Sequence, residues 1–178
     1  MNKILAIGCF LALIYGCGST NEDDLLRNIT QGQMIGVEAN NNTYAWTGIP
    51  FAQPPVDELR WKAPLAPFKF DSIFDASKFA DICFQRDGVM TGNEGGWSGT
   101  EDSLYLNVWT PEWSSEDIKS KKVPVMMWIH GGGNTIGSAD TYDPSHIVSK
   151  HNVIVVTVQY RICLLYTSPS PRDHGRAR

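Results

Sequence analysis

Apolar and polar positions alternate in short stretches along much of the chain, and this pattern predicts β-strands. Two such stretches, Gln33–Glu38 and Thr43–Thr47, flank the asparagines at 40–42. Because asparagine tolerates the left-handed backbone of a tight turn, the two stretches predict a β-hairpin. The stretch Glu101–Trp109 alternates in the same way and predicts a further strand.

The later part of the chain carries unbroken apolar runs. Val125–Ile129 and Asn152–Tyr160 predict strands that are covered on both faces, as in a parallel sheet. Between them, 143–150 predicts a helix with Asp143 as its N-cap and Pro144 at its first position. A strand, a helix and a strand in this order form a right-handed parallel crossover. The sequence therefore predicts an α/β fold.

The remaining segments predict loops and one short helical turn. Four prolines make Gly48–Pro64 a pinned surface loop. A helical turn is expected within 72–80, a glycine-rich loop at 87–100, and a charged surface connection at Ser114–Lys122.

The tetrapeptide His130–Gly133 follows the apolar run directly and is the main candidate for chemistry. Glycine can take positive φ and bring its N–H group close to a ligand, and converging N–H groups stabilise the oxyanion of acyl transfer. A plain turn is the alternative. A nucleotide-binding loop would need Gly-x-Gly-x-x-Gly or Gly-Lys-Ser/Thr, and neither is present. We expect His130 to fix the loop, because no second His or Cys lies at metal-ligand spacing.

Composition limits the classes of function. The 178 residues carry a net charge of -4 and 42% apolar residues, which is ordinary for a globular protein with one core. The mild acidity argues against nucleic acid as a partner.

Residues 1–16 predict a signal peptide of the lipoprotein type. The apolar run Ile4–Ile14 is too short to span a bilayer, and Leu13–Cys17 matches a bacterial lipobox. Cleavage would leave Cys17 lipidated and the mature protein anchored to the bacterial cell envelope. An ordinary secretory signal, giving a secreted or periplasmic protein, is the alternative. Residues 17–27 predict a polar tether.

Four blocks of sequence, in this order and spacing, resemble the type-B carboxylesterases, the α/β-hydrolase family that includes cholinesterases and para-nitrobenzyl esterases. The blocks are Gly48–Pro55 with Leu59–Trp61, Glu101–Pro111, Val125–Gly133 and Val155–Arg161. The resemblance implies an α/β-hydrolase fold of which 28–162 is the truncated N-terminal part, comprising the hairpin and the first strands of the central sheet.

The resemblance also implies roles for single residues. Gly132 and Gly133 match the glycines whose amides face the oxyanion, and Gly131 gives the loop room to turn. Arg60 and Glu101 match an ion pair that clamps the fold without taking part in catalysis. The implied partner is a small-molecule ester, and neither a metal nor an organic cofactor is implied. Oligomeric state cannot be predicted.

Three positions depart from the family pattern. Ser103 stands where the family usually has a Cys bonded to a Cys near position 83, so Cys83 is expected to be a free thiol. We interpret it as a small buried hydrophobe rather than a reactive nucleophile. Asn134 replaces an aromatic residue, and Asp57 replaces a glycine.

The catalytic triad is expected to lie outside this sequence. The fold needs a serine in a Gly-x-Ser-x-Gly elbow, then Asp or Glu, then His, and no such elbow occurs here. Ser138 and Ser145 lie outside a strand-to-helix elbow, and His146 and His151 precede the place of the nucleophile.

Residues 163–178 are interpreted as sequencing-adapter read-through, because 163–173 match a reading frame of a widely used transposase adapter. A disordered tail is the alternative. The expected function is that of an inactive fragment of a serine carboxylesterase that holds the oxyanion loop. A non-catalytic surface adhesion protein of the same family is the alternative.

Overall fold

A computed structural model describes residues 22–86 and 95–162, and its largest element is a mixed five-stranded sheet. The elements are α1 (Glu22–Leu25), β1 (Leu26–Ile29), β2 (Gly32–Ile35), β3 (Val37–Ala39), β4 (Thr43–Pro50), β5 (Phe74–Asp75), β6 (Gln85–Arg86), β7 (Trp97–Ser98), β8 (Tyr105–Pro111), α2 (Ser115–Ser120), β9 (Val125–Ile129), α3 (Ser145–His151) and β10 (Ile154–Val158). The large sheet has the order β3-β4-β8-β10-β9, with β9 and β10 parallel and the other neighbours antiparallel. The predicted α/β class is confirmed.

The predicted hairpin is present as β3 and β4, but its first strand is divided. Asn41 and Asn42 take φ values of 58° and 55°, as expected for the turn. Gly36 separates β2 from β3, and the chain passes there from the small sheet β1-β2-β5 into the large one. A Cβ on Gly36 would lie 2.4 Å from the carbonyl oxygen of Ala45, so this crossing needs glycine.

The described part of the predicted tether, 22–27, belongs to the fold. Leu26 pairs with Ile35 across β1 and β2, and the Trp46 indole donates a 2.8 Å hydrogen bond to the Leu25 carbonyl. The tether prediction is therefore wrong for 22–27, because apolar contacts and this buried indole hold the chain against the sheet. Residues 1–21, with the predicted signal peptide and Cys17, lie outside the described residues, as does the predicted tail at 163–178.

The helical turn predicted within 72–80 is wrong. Residues 74–75 form β5, which runs parallel to β2. The amide of Ala76 donates to Ile35, and its carbonyl accepts from the amide of Thr47. Ala76 is fully buried, so pairing with strands on both sides overrides the local helical preference.

Two other local predictions shift. The strand expected at Glu101–Trp109 begins at Tyr105 and continues to Pro111. The surface connection Ser114–Lys122 contains α2. Its capping box is complete, since the Ser114 hydroxyl accepts from the Asp117 amide and the Asp117 carboxylate accepts from the Ser114 amide.

Helix α3 begins at Ser145, one residue later than predicted. Pro144 occupies the N-cap position, and the Asp143 carboxylate accepts a 2.9 Å hydrogen bond from the amide of Ser145. Burial raises the pKa of Asp143, but hydrogen bonds from Asn40 and Ser145 outweigh that effect and leave the pKa below its ordinary value. The ionised carboxylate therefore stabilises the start of the helix at pH values above the ordinary pKa of an aspartate.

The β9–α3–β10 unit joins two neighbouring parallel strands, as predicted. The expected burial of β9 on both faces is wrong. Every residue of β9 is exposed, from 43% at Trp128 to 65% at Met127, because the described residues leave much of both faces of this edge strand open to solvent. The apolar run thus forms the strand but remains uncovered among the described residues.

The hydrophobic core lies on both sides of β4. Tyr44 and Trp46 pack with Met34 and Ala76 in one cluster, while Ala45 belongs to a second cluster with residues that α3 and β10 contribute. The alternation along one strand therefore places its side chains in two cores.

Candidate functional site

The chain bends sharply where β9 ends, and the bend runs from His130 to Gly137. Gly132 and Gly133 take φ values of 121° and 62°, and Asn134 follows at 61°. The amides of Thr135 and Ile136 both donate to the carbonyl of Gly132, at 3.1 and 3.2 Å. The three-glycine segment therefore folds back on itself at the carboxyl end of a strand, where open α/β sheets place their ligands.

The amides of Gly132 and Gly133 have no hydrogen-bond acceptor in residues 22–86 and 95–162. Gly133 is exposed and Gly132 is partly exposed. Backbone N–H groups are strong donors, and at these exposed positions they are open to water or to a ligand. Two adjacent amides of this kind, in a fixed bend, can hold a negatively charged oxygen.

The steric need for glycine differs along the bend. A Cβ on Gly132 would lie 2.0 Å from the carbonyl oxygen of Ile136, and one on Gly137 would lie 2.4 Å from the carbonyl oxygen of Gly131. Gly131 and Gly133 have open space at that position. The resemblance gave Gly131 the role of making room, but in the structure the closest approaches occur at Gly132 and Gly137.

His130 begins the bend and is buried. Its ring stacks on Tyr160, with centroids 4.3 Å apart, and its Nδ1 lies 3.0 Å from the Gly131 carbonyl. A carbonyl can only accept, so Nδ1 is the donor in this contact. Nε2 is buried without a hydrogen-bond partner among the described residues. These contacts agree with the predicted structural role of His130.

Two glutamines hold the chain at the end of the bend and just after it, and neither was predicted from the sequence. The Gln85 side chain accepts from the Gly137 amide at 2.7 Å and donates to the Gly137 carbonyl at 3.0 Å. Gln159 accepts from the Ala139 amide at 2.8 Å. The sequence offered one signal for these residues, because an amide side chain placed among apolar residues needs polar partners.

A buried line of hydrogen bonds ties this region to the hairpin. The Gly48 amide donates to Asn107 at 2.9 Å, and Asn107 donates to the Thr157 hydroxyl at 2.9 Å. That hydroxyl donates to the Ala139 carbonyl at 2.8 Å. The segment after the bend is thereby fixed to β4, β8 and β10.

The residues of the predicted ion pair meet. The Arg60 guanidinium donates to one oxygen of Glu101, from Nε at 2.9 Å and from a terminal nitrogen at 2.6 Å. The pair joins the proline-rich loop to the segment before β8. Asp57, in the same loop, takes a φ of 46°, which explains why glycine suits this position.

Cys83 is a free thiol, as expected from the serine at 103. Its sulfur lies 2.6 Å from the Ser103 hydroxyl and 3.2 Å from the Tyr160 carbonyl. Both side chains are buried, which agrees with a packing role for the thiol.

The serines and histidines set aside in the sequence do not form a catalytic pair. The Ser138 hydroxyl donates to the Asp140 carboxylate, and the Ser145 hydroxyl accepts from Asn41 at 2.8 Å. His146 and His151 are exposed on α3. Within the described ranges there is no group of three or more His, Cys, Asp and Glu residues that could hold a metal ion, and no helix with the length and hydropathy of a membrane span.

Comparison with known proteins gives one family. The profile of the carboxylesterase family matches residues 23–166. The fumonisin B1 esterase of Sphingopyxis macrogoltabida is 38% identical over 149 residues, which cover 82% of this chain and 26% of that protein. The para-nitrobenzyl esterase of Bacillus subtilis is 38% identical over 136 residues, covering 75% of this chain and 27% of that protein.

Solved structures agree. A PNB esterase superposes with a TM-score of 0.69 at 33% identity, covering 78% of this chain and 28% of that chain. The α/β-hydrolase fold is thereby established. The chain spans about a quarter to a third of the length of the curated relatives that it matches.

Proposed function

This chain belongs to the carboxylesterase family, and we propose that it supplies the oxyanion-binding part of a serine carboxylic ester hydrolase. The observation that carries the proposal is the bend at 130–137, in which the amides of Gly132 and Gly133 have no acceptor among the described residues. A small-molecule ester is the substrate class that fits this chemistry.

In the proposed reaction, a serine hydroxyl attacks the ester carbonyl while a histidine takes its proton. The carbonyl oxygen becomes negatively charged as the tetrahedral intermediate forms. The N–H groups of Gly132 and Gly133 donate to that oxygen, and they require little rearrangement because the backbone of the bend is already fixed. Collapse of the intermediate breaks the bond to the alkoxide oxygen, and the histidine gives its proton to that oxygen, so that the alcohol leaves and an acyl-enzyme remains. Water then hydrolyses the acyl-enzyme to the carboxylic acid and the free serine.

The nucleophile and its partners are proposed to lie in the remainder of a longer protein. The 178 residues contain no Gly-x-Ser-x-Gly elbow. We therefore expect the purified 178-residue chain to hydrolyse no p-nitrophenyl butyrate above the rate in buffer. Turnover that survives purification and follows the protein through the column would contradict this expectation. Sequencing the gene beyond codon 162 tests for the elbow directly.

The proposal is tested most sharply by two alanine substitutions in the full-length protein. Gly132→Ala forces a Cβ against the Ile136 carbonyl and displaces a donor amide, so kcat on p-nitrophenyl butyrate should fall on the order of 10²–10³-fold. Gly131→Ala is the matched control, because its Cβ meets open space. Equal activity of the two variants would contradict the oxyanion role.

Export and lipid anchoring at Cys17 are proposed from the lipobox at Leu13–Cys17. Metabolic labelling with a radioactive fatty acid should mark the wild-type protein and not Cys17→Ala. Labelling of both proteins would point to a different attachment site, and labelling of neither would favour an ordinary secretory signal.

A further inference from the structure

Gln85 forms a paired amide contact with the backbone at the end of the bend. Its side-chain oxygen accepts from the Gly137 amide at 2.7 Å, and its side-chain nitrogen donates to the Gly137 carbonyl at 3.0 Å. The same nitrogen donates to the Cys83 carbonyl at 3.1 Å. Gln85 is 6% exposed, so water has little access to these groups. All three hydrogen bonds therefore depend on the Gln85 side chain.

Gly137 is the point at which the returning chain touches the start of the bend. Its φ is 113°, and a Cβ there would lie 2.4 Å from the Gly131 carbonyl oxygen and 2.6 Å from His130 Nδ1. The peptide unit between Gly131 and Gly132 carries both that carbonyl and the Gly132 amide. The backbone of Gly137 therefore lies against the peptide plane that carries the Gly132 amide.

The opposite end of the bend is held separately. The Tyr160 hydroxyl donates to the His130 carbonyl at 2.6 Å, and the two rings stack. Gln85 lies on β6, a two-residue strand outside the main sheet. Its contact thus couples the β6–β7 segment to the bend, and among the described residues no strand of the large sheet pairs with Gly137.

We propose that Gln85 is a positioning residue for the oxyanion amides, acting through Gly137 on the Gly131–Gly132 peptide. This inference rests on the proposed esterase function. A positioning residue of this kind contributes to the transition state rather than to substrate binding, because the negative oxygen exists only after attack.

The test uses the full-length protein and three variants. Gln85→Leu removes all three hydrogen bonds at similar volume. Gln85→Glu keeps an acceptor for the Gly137 amide and loses the donor to the two carbonyls. Gln33→Leu is the matched control, since Gln33 is exposed on β2 and bonds only the Asn28 side chain in the described structure.

Three kinetic readouts separate positioning from loss of folded protein. The active sites are first counted by complete reaction with an organophosphonate, and kcat is expressed per active site. For Gln85→Leu we expect kcat on p-nitrophenyl butyrate to fall about 10- to 100-fold, with KM within about threefold of the wild type. This fall in kcat is smaller than the fall expected when one oxyanion donor is removed completely. The inhibition constant of a trifluoromethyl ketone, which forms a tetrahedral oxyanion, should rise by a similar factor. For Gln85→Glu, kcat and the inhibition constant should lie between those of the wild type and those of Gln85→Leu. Gln33→Leu should match the wild type in both.

Unchanged kcat per active site in Gln85→Leu, or a loss confined to the number of active sites, would overturn the proposal. If Gln85→Leu does not fold, Gln85→Glu decides by the same readouts. Hydrogen exchange of the 130–137 peptide gives a measure that needs no activity, and it should be faster in Gln85→Leu than in Gln33→Leu. If the wild type is inactive but exchange is faster in Gln85→Leu than in Gln33→Leu, the esterase function is refuted and the contact is established. If exchange is equal in the two variants, the positioning role is overturned.

Discussion

The hydroxyl of Tyr160 donates a 2.6 Å hydrogen bond to the carbonyl of His130 while the two rings stack 4.3 Å apart. Tyr160 follows β10, and His130 follows the neighbouring parallel strand β9. The carboxyl ends of two adjacent strands are thus joined by one side chain at the start of the bend.

Tyr160→Phe tests this link. The substitution keeps the stack and removes the hydrogen bond, so the free energy of unfolding should fall by about 0.5–1.5 kcal/mol. Urea denaturation of the full-length protein measures the change. A loss of several kcal/mol would show that the substitution disrupts the packing of the ring as well.

Ser103→Cys should form a disulfide with Cys83. The sulfur of Cys83 lies 2.6 Å from the Ser103 hydroxyl, so the two side chains already point at each other. Closing the loop between these positions should stabilise the protein by about 3 kcal/mol in the chain-entropy description. Thiol titration in denaturant and unfolding with and without reductant measure the bond and its effect.

Ser103→Ala is the control for this bridge. It leaves the Cys83 thiol reduced, and reductant should not alter its stability. A Ser103→Cys protein with one more titratable thiol than Ser103→Ala after air oxidation would contradict the geometry, whereas the bridge leaves it with one fewer.

Alkaline pH should destabilise the fold through Tyr105. Burial, with a hydrogen bond to the Asp102 carboxylate at 3.0 Å, raises the pKa of Tyr105 to about 12. The pKa of a tyrosine in an unfolded chain is about 10. Below about pH 10 the folded and unfolded states both keep the tyrosine proton, so the contribution of Tyr105 to stability is constant. Between about pH 10 and 12 the unfolded state loses this proton first, so the free energy of unfolding falls. Unfolding of Tyr105→Phe should show a smaller fall in this window.

A charge on the edge strand should reduce association of the isolated 178-residue chain. Met127 is 65% exposed on β9, and an exposed apolar edge is a template for pairing with another chain. Met127→Lys should therefore lower the light scattering of the purified chain. Ala66→Lys adds the same charge in a loop, and equal improvement by both variants would attribute the effect to net charge instead.

The sequence predicted the elements whose pattern depends on local contacts. The asparagine turn, the β9–α3–β10 unit and the glycine bend all contain residue types that suit few other local structures. The capping box at Ser114 and Asp117 was also readable and was missed.

The errors arise where distant segments decide the structure. Residues 74–75 form a strand because β2 lies beside them, and Leu26 belongs to the fold because Ile35 pairs with it. The exposure of β9 depends on which segments pack over its two faces, which an apolar run does not specify. Gln85 was missed for the same reason, since Gly137 is 52 residues away along the chain.

The hydrogen-bonded line from Gly48 through Asn107 and Thr157 to Ala139 has a consequence for redesign of the bend. It consists of uncharged groups only, so ionic strength and moderate acidity leave it intact. Libraries that vary the bend would keep these four positions constant. Asn134 and Thr135 are exposed but not free to vary, because Asn134 has a φ of 61° and the Thr135 hydroxyl donates to the Gly132 carbonyl at 3.1 Å.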